Sequence, residues 1–173
     1  MENSIKSSAT NLGLYLGGAL AVMTILAYAA YLDLLTKWWY GILMAIVIIC
    51  VGIYSIAKSK GLQNGIISFK EAFGSYFITT ILGVLISTVV TYILFNIIDP
   101  EAAETLKQKT IEATINMMEG FGTPAEAVAE AVDQMEKTDN FGLGNIAKSM
   151  AIQIAFFGVI GLIASLVMKK SEE

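Results

Sequence analysis

The sequence predicts an all-α fold, a four-span transmembrane helix bundle with an extracytoplasmic helical hairpin between spans three and four. Its 173 residues are 55% hydrophobic and only 15% charged, and the mean hydropathy is +0.66. A soluble domain carries more charge and less apolar surface than this. Four apolar runs and one acidic, polar segment complete the pattern. We therefore expect a single membrane domain over residues 1–173, with residues 99–145 as the inserted hairpin.

Four stretches are long enough to cross a bilayer, whose hydrocarbon core of roughly 30 Å needs about 20 helical residues. They cover approximately residues 12–35, 39–57, 73–98 and 147–168. Only Thr36, Lys37 and Trp38 separate the first two, which predicts a tight antiparallel pair. Trp38 and Trp39 are the amphipathic aromatic residues typical of a headgroup boundary.

The first stretch also has features of a signal peptide. Lys6 precedes it, and Ala27-Tyr28-Ala29 is similar to a cleavage site. The apolar run continues through Leu35, however, which makes it longer than the apolar region of a signal peptide. We therefore expect this segment to remain as a span.

The loop before span three contains a turn signal and a helix start signal. Asn64-Gly65 is a turn-forming pair, and Ser68 with Glu71 has the spacing of a capping box. In a capping box the serine oxygen accepts a backbone N–H of the new helix, and the glutamate accepts the serine amide. Helix three is therefore expected to begin at Ser68.

Span three is predicted to end at Asp99-Pro100, where aspartate is a good N-cap and proline fits the first position of a new helix. That helix covers about residues 100–119. The following Gly120-Phe121-Gly122 predicts its end, because glycine favours helix termination.

A second hairpin helix is predicted to start at Thr123-Pro124-Ala125-Glu126, which has the order of an N-cap, a first-position proline and a capping-box glutamate. This helix carries an apolar stripe, formed by Val128, Val132 and Met135. The stripe either packs against Ile111, Ile115 and Met118 of the first helix, or faces a partner or lipid headgroups. Both interpretations stay open. The outward acidic face of the same helix, Glu126, Glu130 and Asp133, is the candidate interaction surface.

Lysines predict the orientation, because positive residues near span ends favour the cytoplasmic side. Six of them lie in the two tails and in the loop after span two, namely Lys6, Lys58, Lys60, Lys70, Lys169 and Lys170. Only Lys37 and Lys148 lie close to span ends on the opposite side. The sequence therefore predicts a multi-pass protein of the inner (cytoplasmic) membrane with both termini cytoplasmic.

Residue content argues against several kinds of site. The chain has no histidine, which excludes histidine triads, histidine-ligated metals and histidine pH switches. It has no arginine and a net charge of -4, so nucleic acid is not an expected partner. Cys50 lies in an apolar run and is expected to be a small core residue. No nucleophile motif, phosphate-binding loop or metal-ligand spacing is present, so we expect no enzymatic activity, no cofactor and no metal site.

Small and hydroxylated residues recur at helical spacing in the spans. In span three they are Thr80, Gly83, Ser87 and Thr91, and span one has Gly13 and Gly17. Small residues let helix backbones approach closely, and hydroxyls form hydrogen bonds between or within helices. This pattern favours close packing inside the bundle. A polar pore or a seam between copies of the chain is the alternative.

The order of these features resembles a known family. The motif ISFKEAF, which includes Ser68 and Glu71, precedes span three, and FNIIDPE, which includes Asp99 and Pro100, ends it. In this order and position the chain resembles the integral-membrane family termed domain of unknown function 4199, over nearly its whole length. The resemblance implies a four-helix membrane protein of Gram-negative-type bacteria, with no established activity, cofactor or catalytic residue.

Two functional hypotheses follow. The first is a non-enzymatic envelope interaction or scaffold protein, embedded in the lipid bilayer, whose acidic hairpin contacts an envelope protein or another copy of the chain. The alternative is a small channel or transporter formed by the bundle, possibly as a homo-oligomer. No Asp, Glu, Lys or Arg is expected at lipid depth, although Asp33 lies near the outer end of span one. This weakens the transporter hypothesis because ion-coupled transport usually requires such residues.

Overall fold

A computed structural model of the protein describes residues 2–170, with side chains from residue 4 onward. This range is helical apart from its connections and one isolated β-bridge. Its helices are α1 (Glu2–Ala30), α2 (Trp38–Leu62), α3 (Phe69–Ile93), α4 (Pro100–Gly120), α5 (Ala125–Lys137) and α6 (Leu143–Met168). A 3-10 turn (Leu32–Thr36) follows α1, and a π-helical turn (Leu94–Ile98) follows α3.

Four of the described helical segments are long and apolar enough to cross a membrane, namely Ser4–Ala30, Trp38–Leu62, Phe69–Ile98 and Leu143–Met168. This confirms the predicted all-α class with four spans. The first span differs in its bounds, because the helix already includes Ser7, Ser8 and Thr10 and stops at Ala30. Packing stabilises the helix over Ser7, Ser8 and Thr10, since the neighbouring residues Ile5 and Ala9 are buried.

Helix α3 lies at the centre and packs against α1, α2 and α6, with α1 as its most extensive partner. The α1–α3 contact is parallel and close. A Cβ built at Gly13 would lie 2.9 Å from Cβ of Leu82, and one built at Gly17 would lie 2.6 Å from Cβ of Ile86. Any larger residue at either glycine would therefore separate the helices. The glycine pair predicted to permit close packing lies in this contact.

Tyr76 joins α3 to both remaining spans. Its ring is inserted between Gly52 of α2 and Gly161 of α6, and no part of the side chain is exposed. A Cβ at Gly52 would lie 2.5 Å from Cε2 of the ring, and Gly161 meets the opposite edge. The three helices therefore approach at one depth because glycine faces the aromatic ring on each side.

One end of the bundle, here called the basic end, carries the start of α1, the α2–α3 loop and the end of α6. Ser68 and Glu71 form the predicted capping box there, with the Glu71 amide donating to the Ser68 hydroxyl at 3.3 Å and the Ser68 amide donating to the Glu71 carboxylate at 3.0 Å. Asn64 and Gly65 have φ angles of 56° and 88°, as their turn requires. Ile67 forms the bridge with Lys170, which joins this loop to the end of α6.

The opposite end, here called the acidic end, carries α4 and α5. Asp99 caps α4 as predicted, by accepting the Ala102 amide at 2.9 Å, and Pro100 is the first helical residue. Phe95, Ala102 and Leu106 are buried in one cluster that joins α4 to the π-helical turn. Helix α4 is thus attached to the bundle through its first half.

Two expectations are wrong. Helix α5 begins at Ala125 with Pro124 at the N-cap and no side-chain cap, so Thr123 does not cap it. Instead, the Thr123 amide donates to the Met118 carbonyl and belongs to the turn that ends α4. Cys50 is exposed on α2 rather than placed in the core, because the other side of that helix meets α3.

Candidate functional site

The hydroxyl stripe predicted on α3 divides into two environments. Thr80 is buried and donates to the Tyr76 carbonyl at 3.0 Å, and Gly83 contacts Leu16 of α1. Ser87 and Thr91 are half-buried and line a cleft nearer the acidic end. The first two residues therefore belong to helix packing, whereas the second two face open space.

A buried hydroxyl cluster at the α1–α2–α3 contact was not predicted. Ser75 of α3 forms hydrogen bonds of 2.7 Å with both Ser55 and Ser59 of α2. The Thr79 hydroxyl donates to the Ala9 carbonyl of α1 at 3.0 Å and lies 2.8 Å from the Ser55 hydroxyl, with which it shares a hydrogen bond. The spacing of Ser55 and Ser59, four residues apart on an otherwise apolar span, was the available signal. In lipid, such bonds between helices replace those that water would supply.

Three buried hydroxyls in this part of the bundle lack a partner within residues 4–170. They belong to Ser8, Tyr76 and Ser165, and the side chains of Tyr76 and Ser165 are fully buried. Burying a hydroxyl without a hydrogen bond is unfavourable. Close packing of Tyr76 between two glycines therefore comes with an unsatisfied polar group.

The cleft lies between α2, α3 and α6 and has a volume of about 280 Å³. Its polar lining includes Ser87 and Thr88 of α3 and Ser149 and Gln153 of α6. Ser149 and Gln153 are exposed although they line it, so the cleft is open at α6. None of its lining side chains is charged, so the cleft offers hydroxyl and amide groups to an occupant.

Three polar contacts attach the acidic end to the spans. The Tyr28 hydroxyl donates to Asp99 at 2.6 Å, and Lys109 of α4 pairs with Asp33 at 2.5 Å. Asn96 donates its side-chain amide to the Phe141 carbonyl at 2.9 Å. Together they join α4 to the end of α1 and the loop before α6 to α3.

These contacts shift the titration of the charged groups involved. The Tyr28 hydroxyl, followed by the Ala102 amide, lowers the pKa of the Asp99 carboxyl below its ordinary value. The hydrogen bond from Lys109 lowers the pKa of Asp33, and the same contact raises the pKa of Lys109. Each shift favours the charged form, so the contacts persist at neutral pH.

The predicted interaction residues Glu126, Glu130 and Asp133 are all exposed on α5. Asp133 pairs with Lys137 one turn later at 2.5 Å. Helix α5 packs against α4 and no other helix of the described chain. Val128 on its inner side is buried, and Val132 and Met135 are half-buried. In the described part of the chain, no group of three or more Asp, Glu or Cys side chains is placed to hold a metal ion.

A family model described as "Protein of unknown function (DUF4199)" matches residues 11–170. The chain belongs to the DUF4199 family. This confirms the resemblance inferred from Ser68–Glu71 and Asp99-Pro100, which lie inside the matched range. No curated protein and no solved structure matches this DUF4199 chain. Family membership and the four apolar helices support a membrane-embedded protein.

Proposed function

We propose that this DUF4199 protein is a non-enzymatic scaffold of the inner membrane that uses the exposed face of α5 to bind a basic protein segment outside the cytoplasm. The proposal rests on how α4 and α5 are attached to the membrane spans. Helix α4 is fixed to the spans by packing and polar contacts, whereas α5 touches only α4 among the described helices. Helix α5 is therefore carried on a fixed helix, and its polar face away from α4 is free to contact a partner.

Charge favours a basic partner. Residues 99–145 contain ten of the fifteen acidic residues and three of the eleven lysines. Glu126 and Glu130 are one turn apart, and their carboxylates have no ion-pair partner among the described residues. A surface of one charge attracts an oppositely charged segment over roughly 10 Å at ordinary salt concentration. Lysine- or arginine-rich segments fit this chemistry.

The distribution of lysines supports the orientation. Contacts between Ile67 and Lys170, and between Lys60 and the Met168 carbonyl, place the α2–α3 loop beside the end of α6. The six lysines near the tails and this loop therefore share the basic end. By the positive-inside rule that end is cytoplasmic, which puts α5 outside.

The small channel or transporter is the less favoured role. Gly83 faces Leu16 at close range, and Thr79 and Thr80 direct their hydroxyls to neighbouring carbonyls. These parts of α3 contribute to packing instead of leaving a polar path. A channel from this chain would have to form between copies of it, and flux into vesicles would detect it.

Binding is tested with the full chain in nanodiscs and a fluorescent ten-residue lysine peptide. Replacing Glu126 and Glu130 by Gln and Asp133 by Asn should weaken binding at least tenfold, and added salt should remove the difference. The matched control replaces three carboxylates of α4, those of Glu101, Glu104 and Glu112, and should change affinity less than threefold. Equal losses in both variants would indicate non-specific attraction and contradict the proposal.

Orientation is tested separately. A reporter that is active only outside the cytoplasm should be silent when fused after Glu173 and active when inserted at Gly122. The reverse pattern would place α5 in the cytoplasm and overturn the proposed location.

A further inference from the structure

The cleft near the acidic end has two kinds of lining. Apolar side chains of the bundle core form one part, namely Leu20, Met44, Ile48 and Val84. Hydroxyl and amide groups form the other part, namely Ser87, Thr88, Thr91, Asn140, Ser149 and Gln153. None of these residues carries a charge. An occupant that matches both parts is uncharged, with an apolar portion and a group that forms hydrogen bonds.

Two hydroxyls in the cleft, those of Ser87 and Thr88, are available for binding. Hydroxyls in apolar helices usually donate to the carbonyl one turn earlier, as Thr24, Thr80 and Thr91 do here. The side chains of Ser87 and Thr88 form no such bond in the described chain, although they lie on the same helix as Thr80 and Thr91. Their hydroxyls can therefore bond to an occupant.

Gln153 supports the same conclusion. It lies in the middle of α6, in a segment apolar enough to span a membrane, and its amide has no hydrogen-bond partner in the part of the chain described. An unpaired amide at lipid depth is unfavourable, because no water replaces the missing bonds. A hydrogen-bonding molecule in the cleft would satisfy this group.

The cleft is bounded towards the acidic end by Phe141 and the exposed Asn140, and it is open beside α6. Phe141 forms its roof, held by the hydrogen bond from Asn96 and by ring contact with Phe95 at 4.8 Å between centroids. Helices α2 and α6 meet at the basic end, where Lys60 donates to the Met168 carbonyl. Nearer the roof, the exposed Gln153 marks an opening beside α6.

We propose that this cleft binds one uncharged amphipathic molecule taken from the bilayer. Its hydrogen-bonding head contacts Ser87, Thr88 and Gln153, and its apolar chain leaves beside α6 into lipid. A volume of about 280 Å³ equals that of roughly nine water molecules at about 30 Å³ each, enough for a glycerol ester or a quinone ring but not for a whole lipid. Anionic headgroups are disfavoured because no lysine lines the cleft. The inference is independent of partner binding by α5.

The probe is a monoacylglycerol with a photoreactive diazirine at the start of its acyl chain, added to the full chain in phosphatidylcholine nanodiscs. Mass spectrometry with residue-level localisation should place the label at Met44 or Gln153, within the peptides that contain them. Excess monooleoylglycerol should remove at least four-fifths of this label. If decylubiquinone competes and monooleoylglycerol does not, the head is a quinone ring. A phosphatidylglycerol probe of the same length should label these peptides at least fivefold less.

Three substitutions remove the polar contacts with little change in shape, namely Ser87→Ala, Thr88→Val and Gln153→Leu. Together they should reduce labelling of the cleft at least fivefold. The control Thr80→Val removes a hydroxyl from the same helix outside the cleft and should leave labelling unchanged. Gln153→Leu alone, which retains the α3 sequence, provides a second variant if the triple variant does not fold.

Three results would overturn the proposal. The first is equal labelling by the neutral and anionic probes. The second is labelling that follows the lipid-facing side of α6, at Phe156 and Val159, and is unaffected by the variants. The third is a disulfide between two copies of the chain through cysteines placed at Met44 and Gln153, because a second copy would then fill the cleft.

Discussion

Replacing Gly52 by alanine should destabilise the bundle, because the new methyl group has no room. The added Cβ would lie 2.5 Å from Cε2 and 2.8 Å from Cδ2 of Tyr76, and 2.9 Å from Cγ2 of Thr80. Carbon atoms in favourable contact are about 3.5 to 4.0 Å apart, so the overlap is about 1 Å. Tyr76 cannot move away because Gly161 holds its other edge.

The magnitude follows from two opposing effects. Overpacking a tight contact costs about 1 to 3 kcal/mol. Alanine in place of glycine in a helix contributes about 1 kcal/mol of stability in water. Gly41 of the same helix has open space around it, so Gly41→Ala experiences only the second effect. The two variants should therefore differ by about 1 to 3 kcal/mol, with Gly52→Ala the less stable.

Unfolding in mixed micelles with increasing dodecyl sulfate, followed by circular dichroism, measures this difference. Adding Tyr76→Leu to Gly52→Ala should recover part of the loss, since residues in contact show interaction energies of about 0.5 to 3 kcal/mol in double-mutant cycles. If Gly52→Ala is as stable as Gly41→Ala, the ring does not occupy the space between the two glycines, and the reasoning fails.

Two further predictions concern the ends of the bundle. Ser68→Ala removes a cap contact of about 0.5 to 2 kcal/mol, so hydrogen exchange at residues 69–71 should rise while α3 still inserts, and unchanged exchange would contradict a role for the cap. Tyr28→Phe removes the hydroxyl that most lowers the pKa of Asp99, so the titration midpoint of this carboxyl in side-chain ¹³C NMR should move upward. Because its folded pKa is lowered, Asp99 contributes stability above its unfolded pKa, and this contribution is lost as pH falls through the folded pKa. If the midpoint is unchanged, the Ala102 amide and not the Tyr28 hydroxyl is what lowers the pKa of Asp99.

The sequence predicted helix starts correctly where the capping residue and its partner lie within one turn of each other. Ser68 and Glu71 cap α3, and Asp99 caps α4, because both partners lie within one turn. The signal at Thr123 failed for a physical reason. Its amide is bonded to Met118 at the end of the preceding helix, so a neighbouring element determines where α5 starts.

Contacts between distant segments could not be predicted in this way. The sequence showed glycines and hydroxyls on the spans, but it did not show that α3 is central or that α2 meets α6 at the basic end. The cleft depends on both facts, and so does the division of the stripe between buried Thr80 and half-buried Ser87. The partners of Tyr76, Gly52 and Gly161, are 24 residues before it and 85 after it in the chain.

The parallel contact of α1 with α3 has a consequence for biosynthesis. Helix α1 leaves the ribosome first, yet its most extensive partner follows only after all of α2 has been made. Until then the surface around Gly13 and Gly17 faces lipid or α2, and the Ala9 carbonyl lacks the Thr79 hydroxyl, which is 70 residues later. Insertion of the first two helices therefore precedes their final packing. Assembly of the bundle is a step that α3 completes inside the membrane, in agreement with a two-stage order of insertion and association.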